Sequence, residues 1–474
     1  MRPWSCDTFV AMADVQPDGH VLVGKNSDRP VSDAQPLCFY PRRRASAEGK
    51  LALAYVEIDD VAESHAHVGG SPYWCWGHEL GLNEWGVVVG NEALFTRDWA
   101  ADVTAARAGS PLDHGILGME LVRLGLERGR TAEEALTALC SLVERYGQWG
   151  SGVPGSSPVD GAYDNSFLIA DPHEAWVLET SGRRWAAKRI RNGTWAISNQ
   201  PTIRTEWDRA SHDLVEHAVD AGWWNSGPDR PFDFAQAYVD PGTPLQVSHI
   251  RLQRSRQLLG EMAADGGVGV DAAKRILRDH YEGTFLGGPY FNAALPDFLS
   301  LCMHSHPSEF TWGNTAASAI FVLPKDSDGL PYLWWTPVTP CTGVYLPVFV
   351  HAGGVPRELA AAGSAGRRLR RPDDAPADTY DDRSYWWRFR RLLDVVKGDD
   401  SGGMFAERQP IVRAAFDELE ARWAAELPQV EKAALAANAE RGRDAMAELL
   451  AGFTVSCARQ ALEVADELIS RFGA

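Results

Sequence analysis

The first residue able to do covalent chemistry is Cys6, in MRPWSCDTFVAM, where five residues precede a thiol that runs directly into a β-rich segment. A cysteine there can be a small hydrophobe packed at a strand start. It can equally be a nucleophile masked by the residues before it. The turn signal Gln16-Pro17-Asp18-Gly19 folds this segment back on HVLVGKNSDRP. With paired positions summing to roughly 34 to 36, Cys6 is predicted to face Asp28 to Pro30. A cation, Lys25, and a carboxylate, Asp28, then stand near the thiol, surroundings of the kind that govern thiol reactivity. Loss of the leader 1–5 would also free the α-amine of Cys6, whose reference pKa is about 7.7–8.0. Such an amine can deprotonate its own side chain, so no histidine is required.

Ligand-type residues stand two apart in Cys302-Met303-His304-Ser305-His306 and in Glu63-Ser64-His65-Ala66-His67. Neither segment has H-E-x-x-H or paired C-x-x-C spacing, so no metal and no cofactor is expected. GSGVPG at Gly150 to Gly155 spells G-x-G-x-x-G, but it follows a helical segment and opens into a Ser/Pro loop. The strand-to-helix context that cradles a phosphate is missing.

Other function classes are excluded by composition. The chain of 474 residues carries 46 Lys and Arg against 64 Asp and Glu, a net charge of −18. Such an acidic surface repels a phosphate backbone, so nucleic acid is not an expected partner. No run of apolar residues is long enough for a membrane span. The start lacks a signal-peptide core, which predicts a cytoplasmic protein. The seven cysteines are scattered and never form C-x-x-C, the pattern of reduced thiols. The basic clusters Arg42-Arg43-Arg44 and Arg367 to Arg371 read as solvated loops.

The elements that must position these residues alternate in blocks. CDTFVAMADV, HVLVGKNSD, LALAYVEI and WGVVVGNEALF read as strands, and two helices follow, the second capped by Thr131 with Glu134 three residues on. NSFLIAD, EAWVLET, RRWAAKRI and GTWAISN read as a four-stranded antiparallel meander. Residues 203–280 read as mainly helical, followed by the strands AASAIFVLP, YLWWTPV and VYLPVFV. Residues 361–382 read as a linker or surface loop and 383–474 as helical, a candidate surface for a homo-oligomer. Hairpins dominate over βαβ units, which predicts an α+β fold with antiparallel sheets and helices outside.

In chain order, CDTFVAM, GKNSDRP followed by Gln35, WCWGHELGLNEWGVVVGNEAL, NSFLIAD with EAWVLETSGRRWAAKRI, and AISNQ resemble the secernin and dipeptidase A family. These are cysteine peptidases of the N-terminal nucleophile class, and the helical part around SYWWRFRRLL also resembles the family's C-terminal region. The resemblance implies an αββα sandwich, two stacked antiparallel sheets with helices on both outer faces, with a helical C-terminal extension. It implies that residues 1–5 are a propeptide removed autocatalytically and that residues 6–360 form the catalytic core. Cys6 would be the nucleophile, and Asp28 would hold the α-ammonium or the thiol proton. Lys25 would tune the thiolate from a position where choloylglycine-hydrolase relatives carry Arg, without that residue's bidentate fork. Asn199 matches an oxyanion donor of the relatives, Asn91 is a looser match through its backbone N–H, and Arg251 resembles a further active-site arginine. Glu92, beside Asn91, is assigned to the amine of the substrate. The implied activity is dipeptide hydrolysis through an acyl-enzyme. The alternatives are an amidase acting on non-peptide acyl amides and a secernin-like interaction protein without peptidase activity.

Overall fold

The computed structural model describes residues 5–45, 49–225, 227, 230–243, 246–287, 292–294, 296, 298–306, 311, 313–325, 329–369, 371–399 and 401–473. Leader residues 1–4 lie outside the described residues. Strands form where β-branched and aromatic residues cluster between turn signals, and they assemble into two large antiparallel sheets. The first has six strands in the order Thr194–Ile197, Cys6–Ala11, Val21–Pro30, Gly313–Leu323, Tyr332–Pro337, Leu346–Phe349. The second has eight, in the order Arg209–Ala210, Arg184–Ile190, Ala175–Ser181, Asp164–Ala170, Val88–Leu94, Leu80–Asn83, His67–Gly70, Leu37–Tyr40.

The sheets lie face to face. Val10 and Val23 of the first share one core with Val88, Leu168 and Val177 of the second. Helices Gly118–Arg128 and Ala132–Tyr146 cover the outer face of the eight-stranded sheet through Leu121, Leu124, Leu139 and Val143. Thr131 caps the second of these, its Oγ1 accepting from Glu134 N at 3.1 Å. Helices Gln246–Ala264 and Val270–Leu277 cover the outer face of the six-stranded sheet. The result is the expected four-layer αββα sandwich. Helices Tyr385–Lys397, Phe405–Arg441 and Arg443–Phe472 extend it, burying Trp386, Phe416, Trp423 and Leu450 in the same core.

The structure departs from the sequence reading at four places. LALAYVEI joins neither large sheet; Lys50–Ala52 and Glu57–Asp59 pair only with each other. The four-stranded meander has three members, because Thr194–Ile197 crosses to the other sheet and pairs with Cys6–Ala11. Cys6 pairs with Ser27 rather than with Asp28 to Pro30. The connection is not a tight turn: it contains a 3-10 segment, Ala13–Val15, and Gly19 at φ +73°, which changes the register. Residues 361–382, read as a linker or surface loop, run over the surface of the body with most side chains at least partly exposed. Buried Asp378 accepts from the backbone of Gly363 at 2.9 Å and Trp387 Nε1 at 2.8 Å. Arg367 reaches inward to Cys38 and Tyr40, and Arg43 pairs with Asp60 and Glu127, so neither basic cluster is simply a solvated loop.

Candidate active site

Side chains alternate along a strand, so Cys6 and Thr8 point between the sheets while Asp7 points to the covering helices. The Sγ of Cys6 accepts from the backbone N–H of Asp28 at 3.5 Å, and its backbone N–H donates to Asn199 Oδ1 at 2.8 Å. Asn199 arrives at the end of the strand that crosses sheets, and its Nδ2 donates to the Ala93 carbonyl at 3.0 Å. An amide carries two N–H groups, so one remains for the cavity. Arg251, fully buried on Gln246–Ala264, lies behind the thiol: it donates to the Cys6 carbonyl at 3.1 Å, to Asn199 Oδ1 at 2.9 Å and to the Asp7 carboxylate.

Lys25 stands opposite Thr8 in the strand register, and its Nζ crosses between the sheets to the Asn91 carbonyl at 2.5 Å and Glu92 Oε1 at 3.2 Å. It crosses above Gly90, where an added Cβ would sit 2.8 Å from Lys25 Cδ, so only glycine leaves the path open. Asn91 donates through Nδ2 to Asn165 Oδ1 at 3.0 Å. That pair packs on Gly118, where a Cβ would fall 1.9 Å from the Asn165 oxygen.

These charges sit in a dry interior. Burial raises the Cys6 thiol well above its ordinary value, with Lys25 the strongest opposing influence. Burial likewise lifts Asp28 to about 7, against the pull of Arg251 and hydrogen bonds from Thr315 and Ser5. Glu92 is raised to about 7 by burial, opposed first by Lys25. With Ser5 still attached, the thiol is therefore protonated and its nitrogen is a non-basic amide. A cavity of about 20 Å³ faces the thiol, lined by Ser5, Cys6, Asp28, Arg29, Glu79, Asn91, Ala93, Tyr163 and Asn199. That is room for a single water.

Of the residues singled out from sequence, Cys6, Asp28, Asn91 and Asn199 line this cavity together. Lys25, Glu92 and Arg251 do not. Glu92 is engaged by Lys25 and the Thr8 hydroxyl, and Arg251 lies on the far side of the strand. The wall instead carries Glu79 and Arg29, an ion pair at 2.9 Å whose arginine also holds Asp33. Glu79 belongs to the GHEL segment, a charged position inside a strand-bounded motif, which was the available signal. In the second histidine segment, His67 Nδ1 lies 2.9 Å from the His65 carbonyl, and its ring stacks on Tyr40.

The sequence model of peptidase family C69 matches residues 6–243, beginning at Cys6 itself. Among solved structures, a variant of conjugated bile acid hydrolase from Clostridium perfringens is similar over 73% of this chain and 92% of its own. The identity is 14% and the TM-score 0.39. A Caenorhabditis elegans N-acylethanolamine-hydrolyzing acid amidase ortholog is similar over 68% of this chain and 96% of its own, at 12% identity and a TM-score of 0.31. Among the described residues, no helix is long and apolar enough to cross a membrane.

Proposed function

The chain belongs to peptidase family C69, the dipeptidase A and secernin family of N-terminal-nucleophile cysteine hydrolases, and on that premise we propose that it is a dipeptidase activated by cleavage before Cys6. The observation that carries the reading is that sulfur and backbone nitrogen of Cys6 meet partners on one cavity, Asp28 and Asn199. Activation begins when Cys6 Sγ attacks the Ser5 carbonyl carbon. The C–N bond breaks, the thiol proton passes to the freed nitrogen, and water cleaves the resulting thioester to release Ser5 as a carboxylate. Loss of Ser5 removes one wall of the cavity and admits a substrate.

In turnover the α-amine takes the thiol proton and the thiolate forms an S–C bond to the scissile carbonyl. The free N–H of Asn199 Nδ2 stabilises the developing oxyanion. The amine returns its proton to the leaving nitrogen, and water then breaks the C–S bond. Asp28 holds the α-ammonium between these steps. Lys25, by its charge, offsets part of the burial that disfavours the thiolate. Glu79 on the wall is the anchor for the free amine of a small peptide, the role first assigned to Glu92.

The test is the mass of the purified chain together with a dipeptide panel and its N-acetylated counterparts. The expected result is a chain beginning at Cys6 that cleaves free dipeptides in preference to blocked ones, a preference weakened by Glu79→Gln. A chain that retains Ser5 and still turns over, or Cys6→Ala with undiminished activity, overturns the reading.

A further inference from the structure

Away from the Cys6 site, three segments distant in sequence bring two cysteines and two histidines together. His280 follows the helix Val270–Leu277, Cys302 and His304 precede the strand Gly313–Leu323, and Cys341 lies between the last two strands of the six-stranded sheet. One ligating atom from each lies within 4.8 Å of all the others, and all four residues are buried. His304 Nε2 stands 3.1 Å from His280 Nε2, 3.2 Å from Cys341 Sγ and 3.5 Å from Cys302 Sγ.

Hydrogen bonds alone do not account for this. An imidazole nitrogen carries one proton or one lone pair, in the ring plane, and serves one partner well. Here one nitrogen meets three. A tetrahedral cation removes the conflict, because every ligand atom then points at a common centre. Zinc–sulfur bonds of about 2.3 Å and zinc–nitrogen bonds of about 2.0–2.1 Å require ligand separations of about 3.4 Å for N–N and about 3.6 Å for N–S. The observed separations from His304 Nε2, 3.1 Å to nitrogen and 3.2–3.5 Å to the sulfurs, are slightly shorter than these.

The surroundings are those of a ligand set. His280 Nδ1 faces Glu282 Oε1 at 3.2 Å, which orients the ring with Nε2 toward the cluster. The Cys341 carbonyl is held by Gln409 Nε2 at 3.0 Å, and the Phe405 ring meets His304 edge-on at 5.5 Å. Two soft thiolates with two imidazoles, in a closed set of four, suit zinc in a structural role rather than an oxygen-loving cation.

We propose that His280, Cys302, His304 and Cys341 form a structural zinc site that staples the loop after helix Val270–Leu277 to the segment leading into strand Gly313–Leu323, which pairs with the strand carrying Asp28. The linkage is short. Met303, between two ligands, exchanges bonds with Thr315, donating its N–H to Thr315 Oγ1 at 2.9 Å and accepting from Thr315 N at 3.0 Å. Thr315 Oγ1 in turn donates to Asp28 at 2.7 Å. Zinc binding releases the two thiol protons to solvent and changes no oxidation state.

The experiment is metal analysis of the full chain purified without chelator, followed by cobalt substitution. One zinc per chain is expected, with loss of the metal in Cys302→Ser/Cys341→Ser and a lower unfolding temperature after treatment with 1,10-phenanthroline. Should that variant fail to fold, the wild-type chain carries the test: Co2+ must give thiolate-to-cobalt charge transfer and the intense visible bands of a tetrahedral site. No zinc after growth and reconstitution in its presence, zinc retained by the double variant, cobalt without thiolate bands, or Cys302 and Cys341 recovered as a disulfide would each overturn the proposal.

Discussion

Asn199 Oδ1 accepts the backbone N–H of Cys6 at 2.8 Å, joining two residues 193 positions apart. Arg251 donates to the same oxygen at 2.9 Å, so the amide is held with its oxygen on the Cys6 nitrogen and its NH2 toward Ala93 and the cavity. The orientation of this single amide is thus fixed by Cys6, Arg251 and Ala93 together.

Asn199→Ala removes the proposed oxyanion donor. We expect kcat on a good dipeptide to fall by about 10²–10³ with little change in KM, as for loss of one such donor elsewhere. Steady-state kinetics on chain already cleaved before Cys6 make the measurement; a rise in KM alone would place Asn199 in substrate binding.

Arg251→Met strands a buried carboxylate. Asp7 is raised by burial and brought down chiefly by Arg251, and removing one partner of a buried pair costs about 3–5 kcal/mol. Urea unfolding should report a loss of that order. Asp7→Asn added to Arg251→Met should recover part of it, because no unpaired charge remains.

Asp28 sets the expected acid limb of activity. Burial raises its carboxyl to about 7, so it is neutral below that pH and ionised above it. If the carboxylate holds the α-ammonium, kcat/KM rises through pH 7 as the proton leaves. Asp28→Asn should lower the rate and abolish the limb; a limb unchanged in that variant assigns it to another group.

Glu420 tests the seat of the C-terminal helices. Burial alone would raise its pKa, but Arg278, Lys274 and Arg413 together hold it down to about 2. Their nitrogens lie 2.7, 3.1 and 3.2 Å from its oxygens, and Tyr345 N donates to it at 2.9 Å. A carboxyl depressed in the folded state stabilises fully above its unfolded value of about 4.3 and loses that contribution as pH falls toward 2. Glu420→Gln should therefore cost about 3–5 kcal/mol at pH 7. The gap from wild type should narrow in melts below pH 4.

Much of the site was legible because it is local. Cys6, Asp28 and Lys25 lie on adjacent strands of one hairpin, and a shift of a single pairing, from Asp28 to Ser27, leaves Cys6 and Asp28 on one cavity. Glu92 is harder to place from sequence. Neighbours on a strand point to opposite faces: Glu92 turns between the sheets to Thr8 and Lys25, while the Asn91 side chain turns outward to Asn165 and Gly118.

Cysteine type and position, the turn that folds the chain back, and the apolar runs that become strands are properties of short segments, and the sequence by itself determined them. Which sheet Thr194–Ile197 joins, which acid lines the wall and which three residues converge on His304 were decided only in three dimensions. Each depends on contacts between residues tens to hundreds of positions apart. Chain closure over those lengths leaves no periodicity in the sequence, while burial of the shared core selects one arrangement among many.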